Sequence, residues 1–174
     1  MLGLKRGMVK LTSHHEKWVE LYKKEQKFLS SVLKDLKIEI EHIGSTAIPG
    51  VLAKPIIDIM IIVSKDKEIK KIYNALGNAG YEDRGAQGVK GRRLFVKGPE
   101  KKRTHHLHVV KKESSEYNKL ILFRDYLRSC KKTREEYNEI KKRLVKKFSD
   151  SRPLYTKAKS IFINDILKKA KKSK

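Results

Sequence analysis

The first part of the chain alternates between a helical and a strand-like pattern of apolar residues. Between residues 13 and 36, apolar side chains recur every three or four positions, which predicts an amphipathic helix. Ser13 and Glu16 have the spacing of a capping box, so this helix is expected to begin at Ser13. Residues 38–43, IEIEHI, alternate between apolar and polar side chains and therefore predict a strand.

The middle of the chain contains several short segments typical of strands. The β-branched run PIIDIMIIV at 55–63 predicts a strand that is buried on both faces. A helical stripe follows at 66–79. Shorter apolar segments at 81–84, 93–97 and 104–110 predict three further strands, separated by glycine-rich or basic turns.

From residue 114 onward the pattern is helical throughout. Three segments are expected, and the middle one has its apolar stripe on Tyr137, Ile140, Leu144 and Phe148. The order of elements predicts an α+β fold: a small mixed sheet in about 38–111, followed by a helical C-terminal half in about 114–170. No linker divides the chain, so residues 1–174 are expected to form a single domain.

Composition restricts the class of protein further. The single cysteine, Cys130, excludes an internal disulfide framework and fits a reducing compartment. No apolar run approaches the roughly 20 residues of a membrane span, and the N-terminus lacks the apolar core of a secretory signal. A cytoplasmic location is therefore expected.

The positive charge is concentrated in the second half of the chain. The formal net charge is +23, and residues 88–174 contain 28 of the 43 Lys and Arg residues but only 9 of the 20 acidic residues. Such a basic half could attract nucleic acid, nucleotides or anionic surfaces. Lysine greatly outnumbers arginine, aromatic residues are few, and no interleaving of basic and aromatic residues suggests a stacking platform, which favours a solvated lysine-rich surface over a nucleic-acid interface.

The stretch EHIGSTAIPGVLAKPIIDIMIIV at 41–63 has the strongest chemical character. Gly44 permits close approach of the backbone to a ligand, and the amides and hydroxyls around Ser45 and Thr46 can bind phosphate oxygens. Asp58 lies within an apolar strand, where an unpaired carboxylate is costly, so it should meet a metal ion, a cation or water. Lys54, before this strand, could bind an anion or be solvated.

This stretch resembles the signature of the nucleotidyltransferase fold. The whole chain resembles, more closely, the GrpB family, a set of small bacterial proteins assigned to that superfamily whose reaction is not established. The resemblance is carried by EHIGSTAIPG and AKPIIDI, and by segments that begin at residues 106, 123, 136 and 155: HLHVV, FRDYLR, EYNEIK and YTKAK. It implies a transferase-type fold that binds a nucleotide or a coenzyme A-like ligand, with Gly44, Ser45 and Thr46 at the phosphates and Asp58 as the catalytic carboxylate.

One position departs from the pattern of active nucleotidyltransferases. These carry two carboxylates on the strand, two residues apart, whereas here Asp58 is followed by Met60, a poor ligand for magnesium. Strand alternation places His106 and His108 on one face of the 104–110 strand. Asp58, His106 and His108 are therefore expected to hold a divalent metal (Mg, Mn or Zn), and two imidazoles suit zinc or manganese better than magnesium.

Basic residues in the helical half are further candidates for anion binding. Arg124 could clamp a phosphate group, or it could pair with its neighbour Asp125 as a structural ion pair. A second cluster, which could face phosphate or simply be solvated, consists of Arg152, Tyr155, Lys157 and Lys159.

Three functions remain open on the sequence. The first is an enzyme of the nucleotidyl- or phosphotransfer type that acts on a phosphorylated small molecule or nucleotide. The second is a non-catalytic binding module of the same fold, which the methionine at position 60 favours. The third, ranked behind both, is a nucleic-acid-binding protein that uses the basic C-terminal half.

Overall fold

The structure is a computed structural model that describes residues 2–172, and its core is a five-stranded sheet. The strands are β1 (Ile38–Ile43), β2 (Ile57–Val63), β3 (Glu82–Asp83), β4 (Arg92–Lys97) and β5 (His105–Lys111). The helices are α1 (His15–Val32), α2 (Ile69–Asn78), α3 (Ser115–Ser129), α4 (Lys131–Phe148) and α5 (Arg152–Lys172). The predicted α+β fold, with its helical C-terminal half, is confirmed.

The sheet is mixed, in the order β1-β2-β5-β4-β3. β2 and β5 are parallel, and every other neighbouring pair is antiparallel. The interior position of β2 explains its apolar sequence, because a strand flanked by two others and covered on both faces has little contact with water.

The two faces of the sheet pack against different helices. On one face, Ile57, Ile59 and Ile61 of β2 pack with buried residues of α1 and α2, such as Trp18 and Leu76. On the other face, Met60 and Ile62 pack with Ile43 and Val110 beneath side chains of α3. Asp58 shares this second face because side chains alternate along a strand. The C-terminal helices therefore cover the face that carries Asp58.

The first helix differs from its prediction at both ends. α1 spans His15–Val32, and its N-cap is His14 with no side-chain cap hydrogen bond, so the capping box predicted at Ser13 and Glu16 is wrong. The backbone of Thr12 is instead paired with Ala53 by two hydrogen bonds of 2.8 and 3.0 Å. This bridge fixes the direction of the chain before the helix, and such long-range pairing is not visible in local spacing.

The buried stripe of α4 also differs from the predicted one. The buried residues of α4 are Thr133, Tyr137 and Lys141. Of the predicted stripe, Tyr137 is buried, but Ile140 and Leu144 are only partly buried. The helix is rotated so that Lys141 faces the interior, where its ammonium group donates a hydrogen bond to the Leu52 carbonyl and lies over the Tyr137 ring.

Charged residues occur along every helix of the C-terminal half. α5, with 21 residues, has Lys169, Lys171 and Lys172 in its last turn. Within residues 2–172, no helix combines the length and the apolar character that a bilayer crossing requires.

Candidate functional site

Asp58 lies on the floor of a cavity between the sheet and the C-terminal helices. It is paired in the sheet with Ile43 of β1 and His106 of β5. Its side chain is 25% exposed, so the carboxylate is reachable from the cavity. The cavity has a volume of about 450 Å³, within the range of small-molecule sites.

Two histidines of β5 lie beside the carboxylate. His106 Nδ1 is 3.1 Å from Asp58 Oδ1, and His108 Nε2 is 3.7 Å from the same oxygen. On the other side of the His106 ring, Nε2 faces the Arg152 guanidinium at 3.5 Å. A carboxylate only accepts and a guanidinium only donates hydrogen bonds, so Nδ1 carries the proton of a neutral His106 ring and Nε2 is the acceptor.

The turn after β1 packs directly on Asp58. Gly44 has φ +67° and ψ −168°, and a Cβ atom there would be 2.7 Å from Asp58 Oδ2. Only glycine combines this backbone conformation with such a close approach. The next residue, Ser45, also lines the cavity.

The cavity wall is strongly basic. Among the described residues, six Lys or Arg side chains and two carboxylates, Asp58 and Glu116, line it. The cations come from the β2 entry, β4 and all three C-terminal helices: Lys54, Arg92, Lys119, Lys141, Arg152 and Lys159. A concave surface with this excess of positive charge attracts anionic ligands.

Burial and charge shift the pKa values of three groups in the cavity. Burial alone disfavours the Asp58 carboxylate, but the N–H groups of His106 and His108 outweigh it and hold the pKa of Asp58 well below its usual value. Burial lowers the pKa of His106 to about 4, although Asp58 acts in the opposite direction. Burial, together with the charges of Arg152 and Lys159, lowers the pKa of Lys54 to about 7.

The lowered pKa of Lys54 gives a testable dependence of stability on pH. The folded chain releases this proton near pH 7, whereas the unfolded chain keeps it up to about 10.5, so the unfolded state binds more protons in between. Stability without ligand should therefore rise from pH 7 to pH 9, and Lys54→Met should reduce that rise. Urea unfolding at both pH values measures the effect, with the exposed Lys157→Met as the control. An equal slope in Lys54→Met and wild type would contradict this prediction.

The three residues of the predicted metal site, Asp58, His106 and His108, lie together in the structure. Met60, at the position of the missing second carboxylate, is fully buried among apolar residues and does not line the cavity. Across residues 2–172, no group of three or more His, Cys, Asp and Glu side chains is arranged as a metal site. The two ring nitrogens of His106 face Asp58 and Arg152. As arranged, Asp58 and His106 form a hydrogen-bonded carboxylate–imidazole pair.

Two of the predicted phosphate-binding residues lie outside this cavity. Thr46 is fully buried, and its hydroxyl is 3.0 Å from His42 Nε2. Arg124 donates hydrogen bonds to Glu41, Asp125 and the His42 carbonyl, at 2.6, 2.7 and 3.1 Å. The structure therefore shows the ion-pair alternative for Arg124, which joins α3 to the end of β1. Gly44, Ser45, Lys54, Asp58, His106 and His108 all line the cavity.

The cavity is lined by residues that the sequence had singled out as candidates and by others that it had not. Arg152, Tyr155 and Lys159 of the second basic cluster line the cavity, but Lys157 is exposed. Lys141, Arg92 and Glu116 had not been singled out. Lys141 did leave a signal, since it lies four residues after Tyr137 on the same face of a helix. No sequence pattern indicated Arg92 or Glu116, because their place in the cavity depends on how β4 and α3 pack in the fold.

Solved structures outside the immediate relatives share the fold. One, described as the Cid1 poly(U) polymerase with MgGTP bound, is 15% identical with a TM-score of 0.54, and the match covers 78% of this chain and 44% of that one. At this identity the likeness concerns the fold alone. It supports the assignment of a nucleotidyltransferase-like fold to this chain.

Closer relatives match nearly the whole chain. The GrpB protein of Enterococcus faecalis has a crystal structure with a TM-score of 0.85 and 36% identity, covering 94% of this chain and 98% of that one. The glutamate-rich protein GrpB of Alkalihalophilus pseudofirmus is 37% identical over 96% of this chain and 98% of its own length. The protein YqkA of Bacillus subtilis is also 37% identical, but the match spans 48% of its length. The family model described as GrpB protein matches residues 8–169, and the chain therefore belongs to the GrpB family.

Proposed function

We propose that this protein binds a nucleotide or a coenzyme A-like phosphorylated ligand in the cavity above Asp58 and transfers a nucleotidyl or phosphoryl group from it. The observation that carries the proposal is the concentration of six Lys and Arg side chains around one reachable carboxylate. Their charge complements a polyphosphate, whose binding depends on such clamps.

The turn at Gly44 and Ser45 supports the same proposal. Because Gly44 has no side chain, the backbone lies against Asp58, which leaves Ser45 at the cavity wall beside the carboxylate. A phosphate bound by Lys54 and Arg152 would then lie near Asp58. The carboxylate is ionised and can accept a hydrogen bond from an acceptor hydroxyl, which would orient that group for attack.

The second candidate function is ligand binding without chemistry. The burial of Met60 favours it, because the strand position that carries a second carboxylate in active nucleotidyltransferases has become part of the apolar core. A protein of this kind would keep the basic cavity and bind the phosphorylated ligand, but it would release no product.

Binding can be tested by isothermal titration with ATP, UTP and coenzyme A, against the corresponding unphosphorylated nucleosides. We expect one ligand per chain and a loss of affinity in the double variant Lys54→Met/Lys159→Met. The matched control is Lys157→Met/Lys168→Met, which removes the same charge from exposed positions. Equal weakening in both double variants would point to nonspecific attraction to a basic protein and would contradict the proposal.

Turnover separates the two candidate functions. The wild-type protein and Asp58→Asn are incubated with labelled nucleotide and a mixture of acceptor alcohols, and release of pyrophosphate or labelled product is followed. Product from the wild type but not from Asp58→Asn would support the transferase. Binding without product would support the non-catalytic module.

A further inference from the structure

We propose that the cavity binds the phosphate of its ligand without a divalent cation. Arg152 and Lys54 bind the phosphate directly, and Asp58 acts through His106 to orient Arg152. This inference rests on the proposed binding of a phosphorylated ligand and adds how the phosphate charge is neutralised.

The hydrogen bonds around His106 carry the first part of the argument. The Nδ1–H group donates to Asp58 at 3.1 Å, and the Nε2 lone pair faces the Arg152 guanidinium at 3.5 Å. A metal ion on either nitrogen would have to displace one of these partners. The imidazole thus links a carboxylate to a guanidinium. Its two hydrogen bonds orient both groups, in the way that hydrogen-bond partners orient functional side chains in other sites.

The charge distribution gives the second part. Asp58 and Glu116 are opposed by six Lys and Arg side chains on the cavity wall of the described chain. Bringing a doubly charged cation into such a site is unfavourable, whereas an anion is attracted to it. Lys54, Arg152 and Lys159 lie close enough for their charges to act on one another, so the basic groups form a cluster near Asp58.

The apolar surroundings of Met60 give the third part. A second magnesium-binding carboxylate would stand two residues after Asp58 on the same strand face. The side chain there is fully buried and packs against Ile43, Ile62 and Val110. The fold therefore retains one carboxylate facing the cavity from this strand, and that one is already hydrogen-bonded.

The test is isothermal titration with two probes, tripolyphosphate and ATP, at physiological ionic strength, once with EDTA and once with magnesium. We expect equal or tighter binding in EDTA, because magnesium reduces the negative charge of both probes. Arg152→Met should weaken binding by about tenfold to a hundredfold in EDTA, as expected for a lost charge-assisted hydrogen bond. The exposed Lys157→Met on the same helix is the control and should leave binding unchanged.

Asp58→Asn gives opposite results for the two types of site. The asparagine oxygen can still accept the hydrogen bond from His106, while the negative charge beside the phosphate is removed. We therefore expect affinity for tripolyphosphate to stay the same or increase severalfold. A site in which Asp58 holds a metal would lose affinity with this substitution.

A double-mutant cycle tests the role of His106 as a positioning residue. His106→Ala should weaken tripolyphosphate binding severalfold in the wild-type background and have almost no effect in Arg152→Met, since it acts through the guanidinium. A purely structural role for His106 would give the same loss in both backgrounds and would overturn this part of the inference.

The remaining outcomes separate the inference from the proposed function. Binding that needs magnesium and is lost in Asp58→Asn would overturn the metal-free site and leave the phosphorylated ligand standing. If tripolyphosphate, ATP, UTP and coenzyme A all fail to bind with or without magnesium, both the inference and the proposed function are wrong.

Discussion

Replacing Gly44 by alanine is expected to lower the free energy of unfolding by about 2–4 kcal/mol and to abolish binding of phosphorylated ligands. Gly44 has φ +67° and ψ −168°, a region that essentially only glycine occupies. The added Cβ would be 2.7 Å from Asp58 Oδ2, so the carboxylate or the turn must move. Urea unfolding and titration with ATP measure the two effects.

The matched control is Gly50→Ala, six residues further along the same loop. Gly50 also has a positive φ, +75°, but nothing lies within 4 Å of the position that a Cβ would take. Gly50→Ala should lower the free energy of unfolding by about 1–2 kcal/mol, from backbone strain alone, and leave ligand binding intact. Equal losses of stability in the two variants would show that contact with Asp58 contributes nothing.

Replacing Glu25 by alanine is expected to cost about 2–4 kcal/mol, although the residue is remote from the cavity. Glu25 of α1 accepts hydrogen bonds from Tyr81 and Lys97, at 2.5 and 2.6 Å, in a largely buried cluster. Removing the carboxylate leaves two donors without their partner. Urea unfolding at pH 7 measures the loss, and Glu20→Ala on the exposed face of the same helix should change stability little.

The Glu25 cluster also predicts how stability changes in acid. Burial alone would raise the pKa of Glu25, but hydrogen bonds from Lys97 and Tyr81 outweigh it and lower the pKa. The stabilisation is therefore complete above the unfolded value of about 4.5 and is lost as pH falls through the lower, folded value. Glu25→Gln should show a smaller loss of stability between pH 5 and pH 2 than wild type. An equal loss of stability between pH 5 and pH 2 in Glu25→Gln and wild type would contradict this prediction.

Most of the secondary structure could be predicted because it follows local periodicity. β1 was expected at 38–43 and is found there, and the alternation along β5 correctly placed His106 and His108 on one face. The ends of α1 could not be predicted, since the pairing of Thr12 with Ala53 joins residues 41 positions apart. The rotation of α4 escaped prediction because the hydrogen bond from Lys141 to the Leu52 carbonyl joins residues 89 positions apart.

The site was predictable only where its residues are close in sequence or follow strand alternation. Gly44, Ser45, Lys54 and Asp58 come from one stretch of 15 residues and were identified together. Arg124 shows the opposite case, because the sequence left open whether it binds an anion or pairs with a carboxylate. Its hydrogen bonds to Glu41 and Asp125 follow from the packing of α3 against the end of β1.

By itself, the sequence determined the α+β class, the apolar central strand and the presence of one carboxylate in it, since these depend on local patterns of side chains. The tertiary structure decided the chemistry around that carboxylate. It brings Arg152 from α5 to the far side of His106 and places Lys141 at the cavity wall. Such contacts depend on the distances between helices and sheet, which no local pattern encodes, and they turn a set of scattered basic residues into one anion-attracting cavity.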